Sequence, residues 1–136
     1  MPIVIDTGFV EDAETAPLLS LAALESGGGT PEAGLEVPND TDATNLAPHF
    51  NKVDLIAVAF PNFADGRGFS LARRLRALGY RGRLRAKGHL IADQYPMARA
   101  CGFDEVQIDE TLARRQPEAH WRAVANVRGH ALAARR

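Results

Sequence analysis

The sequence is poor in cysteine, and this excludes several classes of site. Cys101 is the single cysteine among the 136 residues, so these residues can form neither an internal disulfide nor a multi-cysteine zinc or iron–sulfur site. Such cysteine usage is typical of a reducing compartment, and we expect a cytoplasmic protein. The four histidines lack ligand spacing such as His-Glu-x-x-His, so no metal site is predicted.

Long hydrophobic runs and complete catalytic motifs are lacking as well. The apolar run at residues 55–60 is far too short to cross a bilayer, and no Lys or Arg precedes an apolar stretch as in a secretory signal. No Gly-x-Ser-x-Gly elbow is found, no P-loop lysine follows the triple glycine, and Leu71 stands where a dinucleotide fingerprint needs its third glycine. The sequence therefore assigns no nucleophile–base pair, and it does not identify a cofactor.

Positive charge is absent from the first 50 residues, which contain nine Asp or Glu and no Lys or Arg. Residues 51–136 carry all sixteen basic residues and eight acids, and eight of the basic residues lie between Arg67 and Lys87 with no acid among them. This split predicts attraction for an anionic ligand, an acidic partner or the acidic first segment itself. Nucleic acid is not favoured, because the pI is about 6.4 and Tyr80 is the only aromatic residue between Arg73 and Arg85.

Strand and helix patterns alternate from residue 34 onward. Strands are predicted near residues 35–37, 53–60, 83–87 and 103–108, and helices over 70–78, 91–101 and 117–128. The alternation of charged and apolar residues at 83–87 predicts a strand with one exposed face, and Gly102 is predicted to end the helix before it. This alternation predicts βαβ crossovers and a small three-layer α/β domain whose mainly parallel sheet has about four strands. A flavodoxin-like sheet and a half (β/α) barrel fit the spacing equally well.

Residues 1–33 differ in composition from the rest of the chain. Ile3–Ile5 is a strand candidate that can turn at Thr7-Gly8 toward a second short strand, and residues 18–24 form a short apolar segment with helical character. The Gly-rich run at 26–31 predicts a loop. We therefore expect an acidic N-terminal segment, residues 1–33, with a strand or hairpin appended to an α/β domain of residues 34–136.

A candidate site follows from the rule that ligands in parallel α/β sheets lie beyond the carboxyl ends of the strands. Two loops qualify, residues 60–70 and 87–89, and the first contains the turn Asp65-Gly66-Arg67-Gly68 before a predicted helix that Ser70 can cap. Glycines around an arginine at a helix N-terminus predict an anion site. The alternatives are a plain turn in which Asp65 pairs with Arg67, and a contact with a partner protein. The expected ligand-binding residues are Asp65, Gly66, Arg67, Gly68, Ser70, Arg73, Lys87, Asp93 and Gln94.

Residues 56–73, 79–88, 90–94 and 99–104 together resemble the DUF934 family of uncharacterised bacterial proteins. The resemblance begins at Val53, and the first 50 residues match only loosely. Members are usually encoded beside assimilatory sulfite reductase, so the resemblance implies an accessory role in sulfite reduction with that enzyme as a partner. The chain lacks the cysteines that a sulfite reductase needs for its iron–sulfur cluster, and it is therefore not the reductase itself.

Three functional hypotheses remain open. The first is a non-catalytic accessory protein that binds a small anion, or a phosphorylated or sulfur-containing ligand, at the Asp65–Gly68 turn. The second is a small reductase or transferase that uses Asp65, His89 or Asp93 as a proton carrier. The third is a docking module for a sulfite reductase through the arginine-rich face formed by Arg73, Arg74, Arg76, Arg81, Arg83 and Arg85.

Overall fold

The computed structural model describes residues 2–11, 18–28 and 34–133. The strands are β1 (Pro2–Ile5), β2 (Gly8–Glu11), β3 (Leu18–Leu19), β4 (Gly34–Val37), β5 (Leu55–Phe60), β6 (Arg83–Gly88) and β7 (Glu105–Gln107). The α-helices are α1 (Leu21–Ala23), α2 (Arg67–Ala77), α3 (Tyr95–Cys101), α4 (Glu110–Arg115) and α5 (Glu118–Ala133). A π-turn follows α1 at Leu24–Gly28, and 3₁₀ turns occupy Ala43–Asn45, Ala47–His49 and Ala92–Gln94.

The seven strands of the described residues belong to one sheet in the order β2-β1-β7-β6-β5-β4-β3. The strands from β3 to β7 are parallel to one another, whereas β1 is antiparallel to both β2 and β7. This confirms an α/β fold with a mainly parallel sheet. The four predicted strands are β4 to β7, and the N-terminal segment supplies three more.

The predicted N-terminal hairpin is part of the same sheet. β1 and β2 form an antiparallel pair that turns at Asp6-Thr7, and β1 also pairs with β7, with Ile3 opposite Gln107. The backbone N–H of Phe9 donates to Glu118 Oε2 at 2.7 Å, so α5 holds the hairpin as well. The expected boundary at residue 33 lies outside the described residues, as does much of the predicted Gly-rich loop, and the division at that point stays a prediction.

One face of the sheet forms the hydrophobic core. Side chains alternate between the two faces of a strand, and Leu35, Ile56 and Leu84 lie side by side in register on this face. They belong to one buried cluster with residues of α2, α3 and α5, including the fully buried Trp121. A layer of helices thus covers this face, and the three-layer arrangement stays a prediction.

The opposite face of the sheet carries the polar residues of β6 and β7, and one expectation about it is wrong. The alternating pattern at residues 83–87 predicted an exposed row, and Arg83 is exposed, but Arg85 is only 2% exposed. Arg85 lies in register with Glu105 on β7, and its Nε is 2.6 Å from Glu105 Oε2. Because a carboxylate neutralises the guanidinium, the arginine can be buried.

The helix boundaries follow local chemistry. α2 begins at Arg67, with Gly66 in the cap position, three residues before the predicted start at Ser70. α3 ends, as predicted, at Gly102, which takes the left-handed conformation with φ +113°. Asp109 caps α4 by accepting a hydrogen bond from Leu112 N at 2.7 Å. In the part of the chain that the structure describes, no helix is both long and apolar enough to cross a membrane.

Candidate functional site

Three loops meet at the carboxyl edge of the sheet, because β5, β6 and β7 are parallel and each leads into a helix. Gln94 ties two of these loops together, since its Nε2 donates to Phe63 O at 2.7 Å and its Oε1 accepts from Ile91 N at 3.0 Å. Gln116, directly after α4, accepts from Ala92 N at 2.6 Å and so joins the segment that follows β7 to the loop that follows β6. The carboxyl edge is therefore one connected surface.

The Asp65–Arg67 pair is the centre of the predicted site. Arg67 Nε donates to Asp65 Oδ1 at 3.1 Å, and Nη2 donates to Oδ2 at 2.9 Å, so the pair is bidentate. The same carboxylate accepts the backbone N–H of Arg67 at 3.2 Å, at the first turn of α2. The Arg67 side chain is still 63% exposed. Asp65 therefore fixes the direction of a guanidinium that remains open to solvent.

The pairing sets the protonation state of Asp65. The Arg67 side chain holds the pKa of the Asp65 carboxyl well below its usual value of 3.8, and the nearby Asn39 amide and the Arg67 backbone N–H lower it further. A carboxylate with such a low pKa is a weak proton acceptor at neutral pH. This chemistry suits a positioning group better than a proton carrier.

We expect Arg67→Ala to raise the pKa of Asp65 toward 3.8, because the variant loses the main cause of the shift. The carboxyl carbon resonance, followed by NMR during an acid titration, measures this pKa directly. In the wild type, the pair stabilises the fold above the unfolded-state pKa, and that contribution is lost as the pH falls through the lowered folded-state pKa. In Arg67→Ala, the free energy of unfolding should lose this part of its pH dependence. Identical Asp65 titrations in the two proteins would contradict the assignment.

The two glycines of the turn have different surroundings. A Cβ on Gly68 would lie 2.4 Å from the Phe60 ring, so glycine is needed there for α2 to pack against β5. A Cβ on Gly66 would meet only a Phe69 ring atom at 3.9 Å, and Gly66 is exposed. The open backbone at Gly66 is thus the part of the turn that a ligand can approach. A ligand-binding role for Gly68 stays a prediction.

A buried polar atom lies beside the Asp65–Arg67 pair. Asn39 follows β4 and is only 7% exposed, and its amide is close enough to Asp65 to lower the pKa of that carboxyl. Its Nδ2 forms no hydrogen bond of standard geometry, and the Asp65 carboxylate is the acceptor that lies beside it. Since a buried N–H that lacks a good hydrogen bond costs up to roughly 1–3 kcal/mol, a ligand oxygen that completed the hydrogen bonding of this amide would be stabilised.

The other predicted ligand-binding residues are distributed around the carboxyl edge. Ser70 and Arg73 lie exposed on α2, and Asp93 is exposed in the turn before α3. Lys87 is held elsewhere, because its Nζ is 2.5 Å from Glu36 Oε1 on the polar face of the sheet. Among the predicted residues, the structure joins Asp65 to Arg67 and links Gln94 to their loop, but it pairs Lys87 with Glu36.

The arginine-rich segment divides into paired and exposed residues. Arg76 pairs with Asp104, Arg83 and Arg85 pair with Glu105, and the flanking Arg67 and Lys87 are paired as described above. Arg73, Arg74 and Arg81 are exposed and form no ion pair with another described residue. Acids of the N-terminal segment also neutralise basic residues, as Asp6 does for Arg99 at 3.1 Å.

Sequence reasoning missed most of a cleft at the carboxyl edge. The cleft has a volume of about 390 Å³. His89, a predicted proton carrier, lies in its wall and is exposed. The residues missed are Phe63, Ile91, Leu112, Arg115 and Gln116. The sequence could have indicated this cleft. β7 is a third parallel strand, and the rule that selected the loops after β5 and β6 applies equally to the segment after β7, which contains α4.

The described residues offer little for metal or thiol chemistry. No group of three or more His, Cys, Asp or Glu side chains in residues 2–11, 18–28 and 34–133 is arranged to hold a metal ion. Cys101 is buried. Met97, one turn earlier, is 50% exposed.

The comparisons with known proteins give a family and no activity. A search of the curated proteins finds no match. The model of a family described as "Bacterial protein of unknown function (DUF934)" matches residues 34–133, which include β4 to β7, the carboxyl edge and α5. The match covers well over half of the chain, and the protein therefore belongs to the DUF934 family.

Proposed function

We propose that the protein is a cytoplasmic accessory protein of assimilatory sulfur metabolism, and that it binds a small anion at the start of α2. The ligand class is an oxyanion, or a phosphorylated or sulfur-containing molecule with such a group. The observation that carries the proposal is the Arg67 guanidinium, which Asp65 holds in place while its side chain stays 63% exposed. The buried Asn39 amide lies beside the same carboxylate. The sulfur context rests on the family resemblance.

The donors at this site suit an anion. Arg67 uses Nε and one hydrogen of Nη2 for Asp65, which leaves its Nη1 for a ligand. The first turn of α2 adds the positive end of the helix dipole, whereas its Arg67 and Phe69 N–H groups already donate to Asp65 and to Gly66 O. A ligand oxygen would form a charge-assisted hydrogen bond with Arg67, and one that also reached Asn39 Nδ2 would complete the hydrogen bonding of that amide.

The sequential strand order from β3 to β7 supports the half (β/α) barrel alternative over the flavodoxin-like one, whose order reverses at its first strands. In either arrangement the carboxyl ends of the parallel strands are the expected place for a ligand. The start of α2 lies at this edge, directly after β5.

A catalytic role has less support than a binding role. Of the three candidate proton carriers, Asp65 is committed to Arg67. His89 and Asp93 are exposed, and no hydrogen bond joins their side chains to one another. The enzyme alternative stays a prediction, to be tested by a substrate-dependent turnover that Asp93→Asn or His89→Ala removes.

The anion site is tested by thermal shift with sulfate, sulfite, phosphate, adenylyl sulfate, and flavin and nicotinamide cofactors. A ligand at about 100 times its Kd adds roughly 2.7 kcal/mol of stability, which corresponds to a rise in Tm of about 10 °C for a domain of this size. We expect one of these anions to stabilise the wild type and to lose its effect in Arg67→Ala. Arg81→Ala is the matched control, since it removes an exposed arginine away from the site. A panel without any stabilising anion, or an equal shift in Arg67→Ala, would contradict the proposal.

A docking role is the second candidate, favoured by the three exposed arginines that form no ion pair with a described residue. Arg73 and Arg74 lie on α2, and Arg81 follows it. Such a face suits an acidic surface of a sulfite reductase. Arg74→Glu combined with Arg81→Glu should abolish co-purification with that enzyme while leaving the thermal shift by the anion unchanged. Co-purification that survives both changes would exclude this face.

A further inference from the structure

We propose that the cleft formed by Phe63, His89, Ile91, Leu112, Arg115 and Gln116 is a second binding site, for a small aromatic anion. The aromatic ring of the ligand would lie between Phe63, Ile91 and Leu112. Its carboxylate or phosphate group would bind Arg115 and His89. This site is separate from the Arg67–Asn39 site, and it stands or falls independently of the sulfur hypothesis.

The apolar wall of the cleft includes the exposed aromatic ring of Phe63. Phe63 is 60% exposed, the largest exposed fraction among the large hydrophobic residues that the structure describes. Its loop is nevertheless held in place, because Phe63 O accepts from Gln94 and Asn62 Oδ1 accepts from Ala64 N at 2.9 Å. A ring displayed on a fixed loop can stack against a flat ligand without paying a large ordering cost.

The polar wall of the cleft consists of donors and contains no acid. Among the described residues, the side chains of Arg115 and His89 form no ion pair or hydrogen bond, in contrast to Arg67, Arg76, Arg85 and Arg99, which are all paired. The side-chain carbonyl of Gln116 already accepts from Ala92 N, so the side-chain N–H₂ group of Gln116 is left as a further donor. A wall of this kind attracts a negative group and disfavours a cation.

The size of the cleft limits the ligand. Its volume of about 390 Å³ lies near the lower end of the range for small-molecule sites, which is about 300–1,000 Å³. That volume suits one ring system with one charged group. The combination of aromatic, aliphatic and cationic walls therefore selects an aryl phosphate or an aryl carboxylate.

Phenyl phosphate and benzoate are the probes, and each contains one ring and one anionic group. Binding is followed by NMR, from the shifts of the backbone amides of Ile91, Leu112 and Gln116 during titration of the full chain. Inorganic phosphate lacks the ring and benzyl alcohol lacks the charge, so they are the control ligands. We expect at least one probe to bind more tightly than both controls, and the comparison of the two probes shows whether a phosphate or a carboxylate is preferred.

Variants decide where the probe binds. Arg115→Ala should weaken its binding about tenfold or more, as expected for loss of one charge-assisted contact, and Phe63→Ala should reduce the advantage of the probe over inorganic phosphate. Arg114→Ala is the matched control, because Arg114 is an exposed neighbour that does not line the cleft, and Arg67→Ala should also leave binding unchanged. The proposal is overturned if neither probe shifts these amides, if inorganic phosphate binds as tightly as the probe, or if Arg114→Ala weakens binding as much as Arg115→Ala.

Discussion

Glu105→Leu should lower the free energy of unfolding by about 3–5 kcal/mol, because it removes one partner of a buried ion pair, the carboxylate that binds the guanidinium of Arg85. Arg85 is 2% exposed and Glu105 is 6% exposed, and the Arg85 Nε to Glu105 Oε2 distance is 2.6 Å. Gln107 accepts from Arg85 Nη1 at 3.0 Å but carries no charge, so it cannot replace the carboxylate. A small domain is usually stable by only about 5–15 kcal/mol, and the variant should unfold at a clearly lower urea concentration.

A second variant separates loss of the counter-ion from a general loss of packing. Arg85→Met combined with Glu105→Leu removes both charges and keeps comparable volume, so it should recover most of the lost stability. Glu36→Ala removes the partner of Lys87 in a half-exposed pair and should cost at most about 1 kcal/mol. The assignment fails if Glu105→Leu unfolds within about 1 kcal/mol of the wild type, or if the double variant is no more stable than the single one.

The sequence correctly predicted those strands and helix ends that a short stretch of residues determines. The continuous apolar run at Leu55–Phe60 is a buried central strand, and Gly102 ends α3 because a left-handed residue there requires glycine. The position of β1 could not be predicted in this way. Ile3 pairs with Gln107, about a hundred residues later, and no short window of sequence contains both partners.

The prediction that Arg85 lies on an exposed face was wrong for the same reason, because its partner is distant in the sequence. Alternating charged and apolar residues predict an exposed face only if no counter-ion lies on the neighbouring strand, and Glu105 lies there, on β7. The Asp65–Arg67 pair could be foreseen as one alternative, because its members are two residues apart. The pairing of Lys87 with Glu36 and the cleft around Arg115 depend on which strands are neighbours.

Arg76→Ala should cost about 3 kcal/mol of stability, although the α2 sequence gives Arg76 the same outward position as Arg73 and Arg74. Its guanidinium donates to the backbone carbonyls of Tyr80, Gly82 and Gly102 at 2.8–3.0 Å. It also donates to Asp104 Oδ2 at 2.8 Å. One side chain thus joins the end of α2, the start of β6 and the end of α3, and hydrogen bonds to a charged group contribute about 1.5–3 kcal/mol each without being additive.

The comparison within α2 makes this prediction specific. Arg73→Ala and Arg74→Ala remove exposed arginines of the same helix, so they should change the free energy of unfolding by no more than about 0.5 kcal/mol in the same urea titration. Arg76→Lys keeps the charge but loses the planar fork that reaches several carbonyls at once, and its stability should lie between that of Arg76→Ala and the wild type. If all three alanine variants unfold alike, Arg76 does not join these elements. If only Arg76→Ala is destabilised, the exposed arginines remain free for an anionic partner, because the fold depends on Arg76 and not on them.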